Sequence, residues 1–279
     1  MPSPAATQED REFAFSVRDF QFLASLANER TGIVLADHKR DMVYSRISRR
    51  LRALHLKSFA EYCELLKSPQ GVEELGNMVN AITTNLTHFF REKHHFEHLR
   101  DSLLLPMQQQ GAKRLRIWSA GCSSGMEPYS IAMTVKNSLR NVQSWDAKIL
   151  ATDIDTTMLD RGVRGEYMIE EYNNIPPEYR GDVECQSREM MTMSDFLKSL
   201  ITFKYLNLLE DWPMKGMFDA IFCRNVVIYF DRATQARLFD RMAELLSPTG
   251  WLYIGHSENL TKVTDRFELV GRTIYRRVN

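Results

Sequence analysis

Gly121, Gly125 and Asp153 carry the clearest chemical pattern in the chain. Residues 115–129 read LRIWSAGCSSGMEPY. A short apolar run (Leu115, Ile117, Trp118) enters a turn bracketed by the two glycines, and helical spacing follows at Tyr129, Ile131, Ala132, Val135 and Leu139. Strand, tight turn and helix together place a nucleotide-like cofactor at the carboxyl end of a parallel strand. The glycines allow close backbone approach, and the helix start offers free N–H groups. Asp153 ends a second strand-like run, 147–153, and lies 28 residues after Gly125. A carboxylate there accepts hydrogen bonds from ribose hydroxyls. Taken singly, the glycine spacing also fits an ordinary strand-to-helix turn, and Asp153 fits a helix cap. Together they bring the cofactor reading level with the structural one.

The frame for these residues is an alternation of strands and helices. Residues 201–207, 218–223 and 251–255 read as further strands, with an amphipathic helix between the last two carried by Leu238, Met242, Leu245 and Leu246. Residues 247–250 (Ser-Pro-Thr-Gly) read as a turn, and 267–270 and 273–276 as a closing antiparallel pair. Residues 156–200 are too long for one crossover helix, so a small inserted subdomain at about 163–200, with short antiparallel strands, is expected. The closing pair fits a class I methyltransferase sheet better than a dehydrogenase with six parallel strands.

The amino-terminal third is helical. Residues 1–12 are polar and charged and are expected to be disordered, and 13–80 form a small helical domain. Residues 81–110 are a linker and a bridging helix over 92–105 that stops at Pro106, and 111–279 form the large domain. Residues 39–57 hold seven Lys/Arg against one acid, Asp41. Such a face is either solvated or a docking surface for an acidic macromolecule, and the scarcity of interleaved aromatics favours a protein over single-stranded nucleic acid.

The chain totals 279 residues with 36 basic and 36 acidic side chains, a balance that argues against a broad nucleic-acid footprint. The four cysteines form no C-x-x-C pair, and histidines 88, 94, 95 and 98 lack an H-E-x-x-H spacing, so no metal site is expected. No signal segment or long apolar run is present, so the protein is expected to be cytoplasmic, with no membrane insertion.

Four stretches resemble the chemotaxis receptor glutamate methyltransferases, the CheR family: 118–131 (WSAGCSSGMEPYSI), 151–155 (ATDID), 222–230 (FCRNVVIYF) and 255–258 (GHSE). The stretch around Asn85, Thr87, Phe89, Phe90 and Arg91 and the basic second helix, expected from about Asp37 to Leu54, are also similar. The resemblance runs from Phe20 to Tyr275. It implies an α/β fold, namely a class I S-adenosylmethionine-dependent (Rossmann-like) sheet with an N-terminal all-helical domain and a small inserted β subdomain. It implies S-adenosylmethionine as cofactor, S-adenosylhomocysteine as product, and methylation of glutamate side chains on the cytoplasmic helices of methyl-accepting chemotaxis receptors. It places Asn85, Thr87 and Arg91 near the methionine part, Glu127 near the amino group, Gly121 in the cofactor turn and Asp153 on the ribose. Asn207 and Leu208 fall around the adenosine, and Arg224 and Asn225 beside the cleft. Arg91 and Tyr229 are the implied catalytic residues, with Tyr229 lining the substrate entry. Arg40, Arg46, Arg49 and Arg50 belong to the implied receptor-recognition surface. The family suggests a monomer. Tethered members carry a glycine-rich loop in the insert, whereas 179–192 here holds only Gly181, so no C-terminal pentapeptide tether is expected. A noncatalytic S-adenosylmethionine-binding regulator and an RNA methyltransferase are the competing readings. The absence of an Asn/Asp-Pro-Pro-Tyr motif at 224–227 speaks against the latter.

Overall fold

The protein is described by a computed structural model covering residues 11–278; most of the expected 1–12 tail lies outside the described residues. The chain divides into two compact units, one ending at Thr84 and the other starting at Asn85.

The first unit is a helical bundle. Its helices are α1 (Val17–Thr31), α2 (Arg40–Ala53), α3 (Phe59–Lys67) and α4 (Val72–Ile82). Ser16 caps α1 by accepting the Asp19 N–H, while the Asp19 carboxylate accepts the Ser16 N–H, which closes a capping box. The helical spacing collects Phe20, Leu23, Val43, Ile47, Leu51, Phe59, Tyr62 and Met78 into a buried core. Glu74 is buried beneath it. Its carboxylate accepts two hydrogen bonds from Arg50, at 2.9 and 2.6 Å, and one from the Tyr62 hydroxyl at 2.8 Å.

The second unit is built on a seven-stranded sheet. Its strands are β1 (Arg114–Ala120), β2 (Asp146–Asp153), β6 (Ile201–Tyr205), β7 (Phe218–Cys223), β8 (Leu246–Ile254), β9 (Phe267–Gly271) and β10 (Ile274–Arg277), and they lie in the order β6-β2-β1-β7-β8-β10-β9. The first five of that order are parallel, and β10 is antiparallel to both of its neighbours, β8 and β9. The central strand alternates between two cores: Leu115 and Ile117 join one, Trp118 and Ala120 the other. Burial on both faces is what a helix-covered parallel sheet requires. A separate antiparallel sheet, β3 (Glu166–Met168), β5 (Met190–Met193) and β4 (Val183–Cys185), forms the insert. No described helix is long and apolar enough to cross a membrane.

Two local expectations are corrected. The helix after Arg91 does not stop at Pro106. It runs on as α5 (His94–His98), a wider π-type segment (Leu99–Leu104) and α6 (Leu105–Gln109), and Pro106 follows directly on the wider segment. Residues 247–250 are not a turn outside the sheet. They lie within β8 as an irregularity: Phe218 pairs with Leu246, whereas Ala220 pairs with Trp251. Pro248 lacks the donor that a regular ladder needs.

Candidate active site

The site lies at the carboxyl ends of β1, β2 and β7. Gly121 follows β1 with φ of +81°, and a Cβ there would lie 2.3 Å from Val226 Cγ2. Glycine is therefore required both by conformation and by the approach of the loop after β7. The helix α7 (Met126–Ser138) starts immediately after Gly125. Its first turn carries Glu127, whose carboxylate accepts from Ser119 Oγ at 2.7 Å and from Arg224 Nη1 at 3.1 Å. Burial raises the Glu127 carboxyl above its ordinary range, against the pull of Arg224.

Arg224 is buried at the end of β7. Besides Glu127 it donates to the Arg91 carbonyl and lies 3.5 Å from Glu92 Oε2. Glu92 also accepts the His256 backbone N–H at 3.2 Å and lies 3.1 Å from His256 Nδ1. Burial alone would raise the Glu92 carboxyl, but Arg224 and His256 outweigh it and hold it low. Phe90 and Glu92, on either side of Arg91, both have positive φ, +52° and +58°. Non-glycine residues in this region persist only where the surroundings hold them. The Arg91 guanidinium donates to the Leu86 carbonyl at 2.9 Å.

Asp153 ends β2. Its oxygens accept the Ser123 N–H at 2.7 Å and the Asp155 N–H at 2.9 Å, and burial pushes its carboxyl up to about 6. Asn85 is joined to the same corner: its amide donates to Asp155 at 2.7 Å and its carbonyl accepts from Ser123 Oγ at 3.2 Å. Asn207 and Leu208, both buried, follow β6; the Asn207 side chain accepts the Leu209 N–H at 3.0 Å. Asn225 has φ of +58° and starts the loop that reaches the half-buried Tyr229. Thr87 is half-buried in the segment between Asn85 and Arg91.

The residue-type patterns do not stand alone. A model of the CheR methyltransferase S-adenosylmethionine-binding domain matches residues 85–276, and one of the CheR methyltransferase all-alpha domain matches 18–83. The chain belongs to the CheR methyltransferase family. It is 48% identical over 252 residues to a probable chemotaxis protein methyltransferase of Rhizobium etli, covering 88% of this chain and 94% of that protein. It is 44% identical to chemotaxis protein methyltransferase 2 of Pseudomonas aeruginosa, covering 98% of each, and 43% identical to the chemotaxis protein methyltransferase of Escherichia coli, covering 96% of this chain and 93% of that protein.

The CheR cofactor is S-adenosylmethionine, and the buried polar groups suit it. Glu92 Oε2 and Arg224 Nε are buried without a hydrogen-bond partner among the described residues. One guanidinium faces two carboxylates, which leaves a surplus negative charge. The ammonium and carboxylate of the methionine end offer the complementary charge and acceptor.

In the helical CheR unit the four recognition arginines differ. Arg46 donates to the carbonyls of Ile82 and Thr83 at 2.8 and 2.6 Å, at the carboxyl end of α4. Arg50 serves Glu74, and Arg40 donates to the Phe15 carbonyl at 2.5 Å. Only Arg49 of the four is exposed. Three members of the basic run, Arg40, Arg46 and Arg50, are thus spent on internal bonds, while Lys39, Arg49, Arg52 and Lys57 stay exposed, a division that charge counting does not reveal.

Sequence reasoning gave no role to Glu92 or Glu258. Both are isolated acids whose burial is set by residues far away in the chain. The 255–258 stretch stood out only by resemblance. Glu92, His94 and His95 bring metal-ligand-type atoms within 4.8 Å of one another. The Arg224 guanidinium lies 3.5 Å from Glu92 Oε2, and burial followed by Arg224 drives the His95 pKa down to about 3.

Proposed function

We propose that this CheR methyltransferase moves the methyl group of S-adenosylmethionine to glutamate side chains on the cytoplasmic helices of chemotaxis receptors, giving glutamyl methyl esters. The observation that carries this reading is the buried Glu127–Arg224–Glu92 group beside Arg91, in a chain that matches the family over nearly its whole length. When bound, the cofactor supplies an electrophilic sulfonium methyl. A glutamate carboxylate is ionised at neutral pH, so the chain needs no nucleophile or strong base of its own. Its residues bind, orient and exclude water.

In this reading Glu127 holds the cofactor ammonium and Asp153 the ribose hydroxyls. Asn85, Thr87, Asn207 and Leu208 enclose the rest, with Gly121 making room. Arg91 and Tyr229 align the incoming carboxylate, and Arg224 and Asn225 shape the cleft. Arg49 is the recognition residue best placed to meet an acidic receptor helix. The protein acts in the cytoplasm as a monomer and works without a receptor pentapeptide tether, in keeping with the glycine-poor 179–192 stretch. Micromolar binding of a receptor C-terminal pentapeptide would refute that last point.

The deciding experiment incubates the protein with methyl-labelled S-adenosylmethionine and receptor-enriched membranes. Base-labile label on the receptor is expected. Label on RNA would overturn the reading, and receptor binding without label would identify a noncatalytic regulator instead.

A further inference from the structure

Glu258 is 5% exposed, and its carboxylate reaches two loops at once. Oε2 accepts the Gly255 N–H at 2.6 Å and the Asn225 N–H at 2.9 Å, while Oε1 accepts the Val227 N–H at 3.0 Å. No ion pair to Glu258 is present among the described residues. The carboxylate therefore joins the segment after β8 to the segment after β7 through backbone donors.

The two segments also touch directly. A Cβ on Gly255 would lie 2.4 Å from Asn225 Nδ2, so only glycine permits this approach. Asn225 itself is held at φ of +58°. The far side of the same loop is held from the helix Arg232–Leu245. There Gln235 Nε2 donates to the Val227 carbonyl at 2.9 Å and to the Phe230 carbonyl at 3.0 Å. The loop's N–H groups are thus gripped by Glu258 and its carbonyls by Gln235. Between the grips lies the short turn Val227–Tyr229.

We propose that Glu258 is a positioning residue for methyl transfer: with Gln235 opposite, it fixes the 225–230 loop so that Tyr229 presents its hydroxyl to the substrate carboxylate. The proposal rests on the function argued above and adds a residue that touches neither cofactor nor substrate. Three observations support a role beyond filling space. The carboxylate uses both oxygens on backbone donors of the loop. The loop contains a left-handed asparagine that needs external support. The two grips come from different elements and meet at Val227, whose N–H and carbonyl are both taken.

The test is a double-mutant cycle on receptor methylation with Glu258→Gln, Tyr229→Phe and the double variant. Glu258→Gln keeps the shape but sets an amide NH2 against backbone donors. It is expected to lower kcat about tenfold or more while KM for S-adenosylmethionine changes less than about threefold. In the Tyr229→Phe background the same change is expected to cost less than about twofold, because the group it positions is already gone. An equal loss in both backgrounds, or an unchanged kcat in Glu258→Gln, overturns the proposal. If Glu258→Gln fails to fold, Gln235→Met releases the opposite grip from a partly exposed helix position, and the same cycle with Tyr229→Phe decides. Failure of the wild-type protein to label receptor would instead defeat the underlying function, and that result is read before any variant.

Discussion

Arg224 donates to Glu127 at 3.1 Å and lies 3.5 Å from Glu92, so one buried guanidinium serves two carboxylates from different elements. With both carboxylates ionised the group carries a net negative charge, and it draws together the start of α7, the turn around Arg91 and the end of β7. Glu127→Gln keeps the shape and cancels the surplus charge. Its expected effect is a loss of S-adenosylmethionine affinity of about 10- to 100-fold, the range of a hydrogen bond to a charged group. Calorimetric titration measures it, and an unchanged Kd would remove Glu127 from the cofactor site.

Burial lifts the Asp153 carboxyl from 3.8 to about 6. The free fold therefore holds this proton more tightly than the unfolded chain does. This group's contribution to stability is fully present below 3.8 and is lost as pH rises through about 6. Cofactor binding runs the other way, because ribose hydroxyls need an ionised acceptor. Affinity is expected to weaken as pH falls below about 6, approaching tenfold per pH unit, and Asp153→Asn is expected to bind weakly with little pH dependence in that window. Parallel pH profiles for both proteins would refute the ribose assignment.

Arg91 sits between two residues of positive φ and is tied at its carbonyl by Arg224. Its backbone is thus fixed, and its half-buried guanidinium, which donates to the Leu86 carbonyl, has further N–H groups to offer a carboxylate. Arg91→Ala is expected to lower kcat for receptor methylation about 100-fold. If turnover were unchanged and only cofactor binding fell, Arg91 would belong to the cofactor alone.

The basic helix separates into structural and exposed arginines. Removing Glu74 leaves Arg50 without its partner and the Tyr62 hydroxyl without its acceptor. Glu74→Ala is expected to destabilise the helical unit by about 3 kcal/mol, seen in thermal or urea unfolding. Arg49→Glu is expected to leave unfolding unchanged and to raise KM for receptor about tenfold. A wild-type KM in Arg49→Glu would move receptor recognition elsewhere.

Local pattern accounts for much of the fold. Ser16 and Asp19 announce the capping box, the short apolar run of Leu115, Ile117 and Trp118 announces β1, and the bracketing glycines announce the turn before α7. These are short-range relations in which the chemistry of a few neighbours decides the outcome. Pro106 and Pro248 show where that logic ends. Each is an ordinary breaker by itself, yet one is absorbed by a preceding wide helical turn and the other by an irregular strand.

The sequence by itself determined the class of sheet, the glycine turn and, through family-specific stretches, the cofactor. The tertiary structure alone decided which charges meet. Arg224 and Glu127 are separated by 97 positions and Glu258 and Asn225 by 33, so no periodicity relates them. Their encounter depends on strand order, which sets β7 beside both β1 and β8 and brings the ends of all three to one edge. In the helical unit it is helix packing that decides: a carbonyl at the end of α4 and the Glu74 carboxylate take Arg46 and Arg50 into internal bonds, and Arg49 is left exposed.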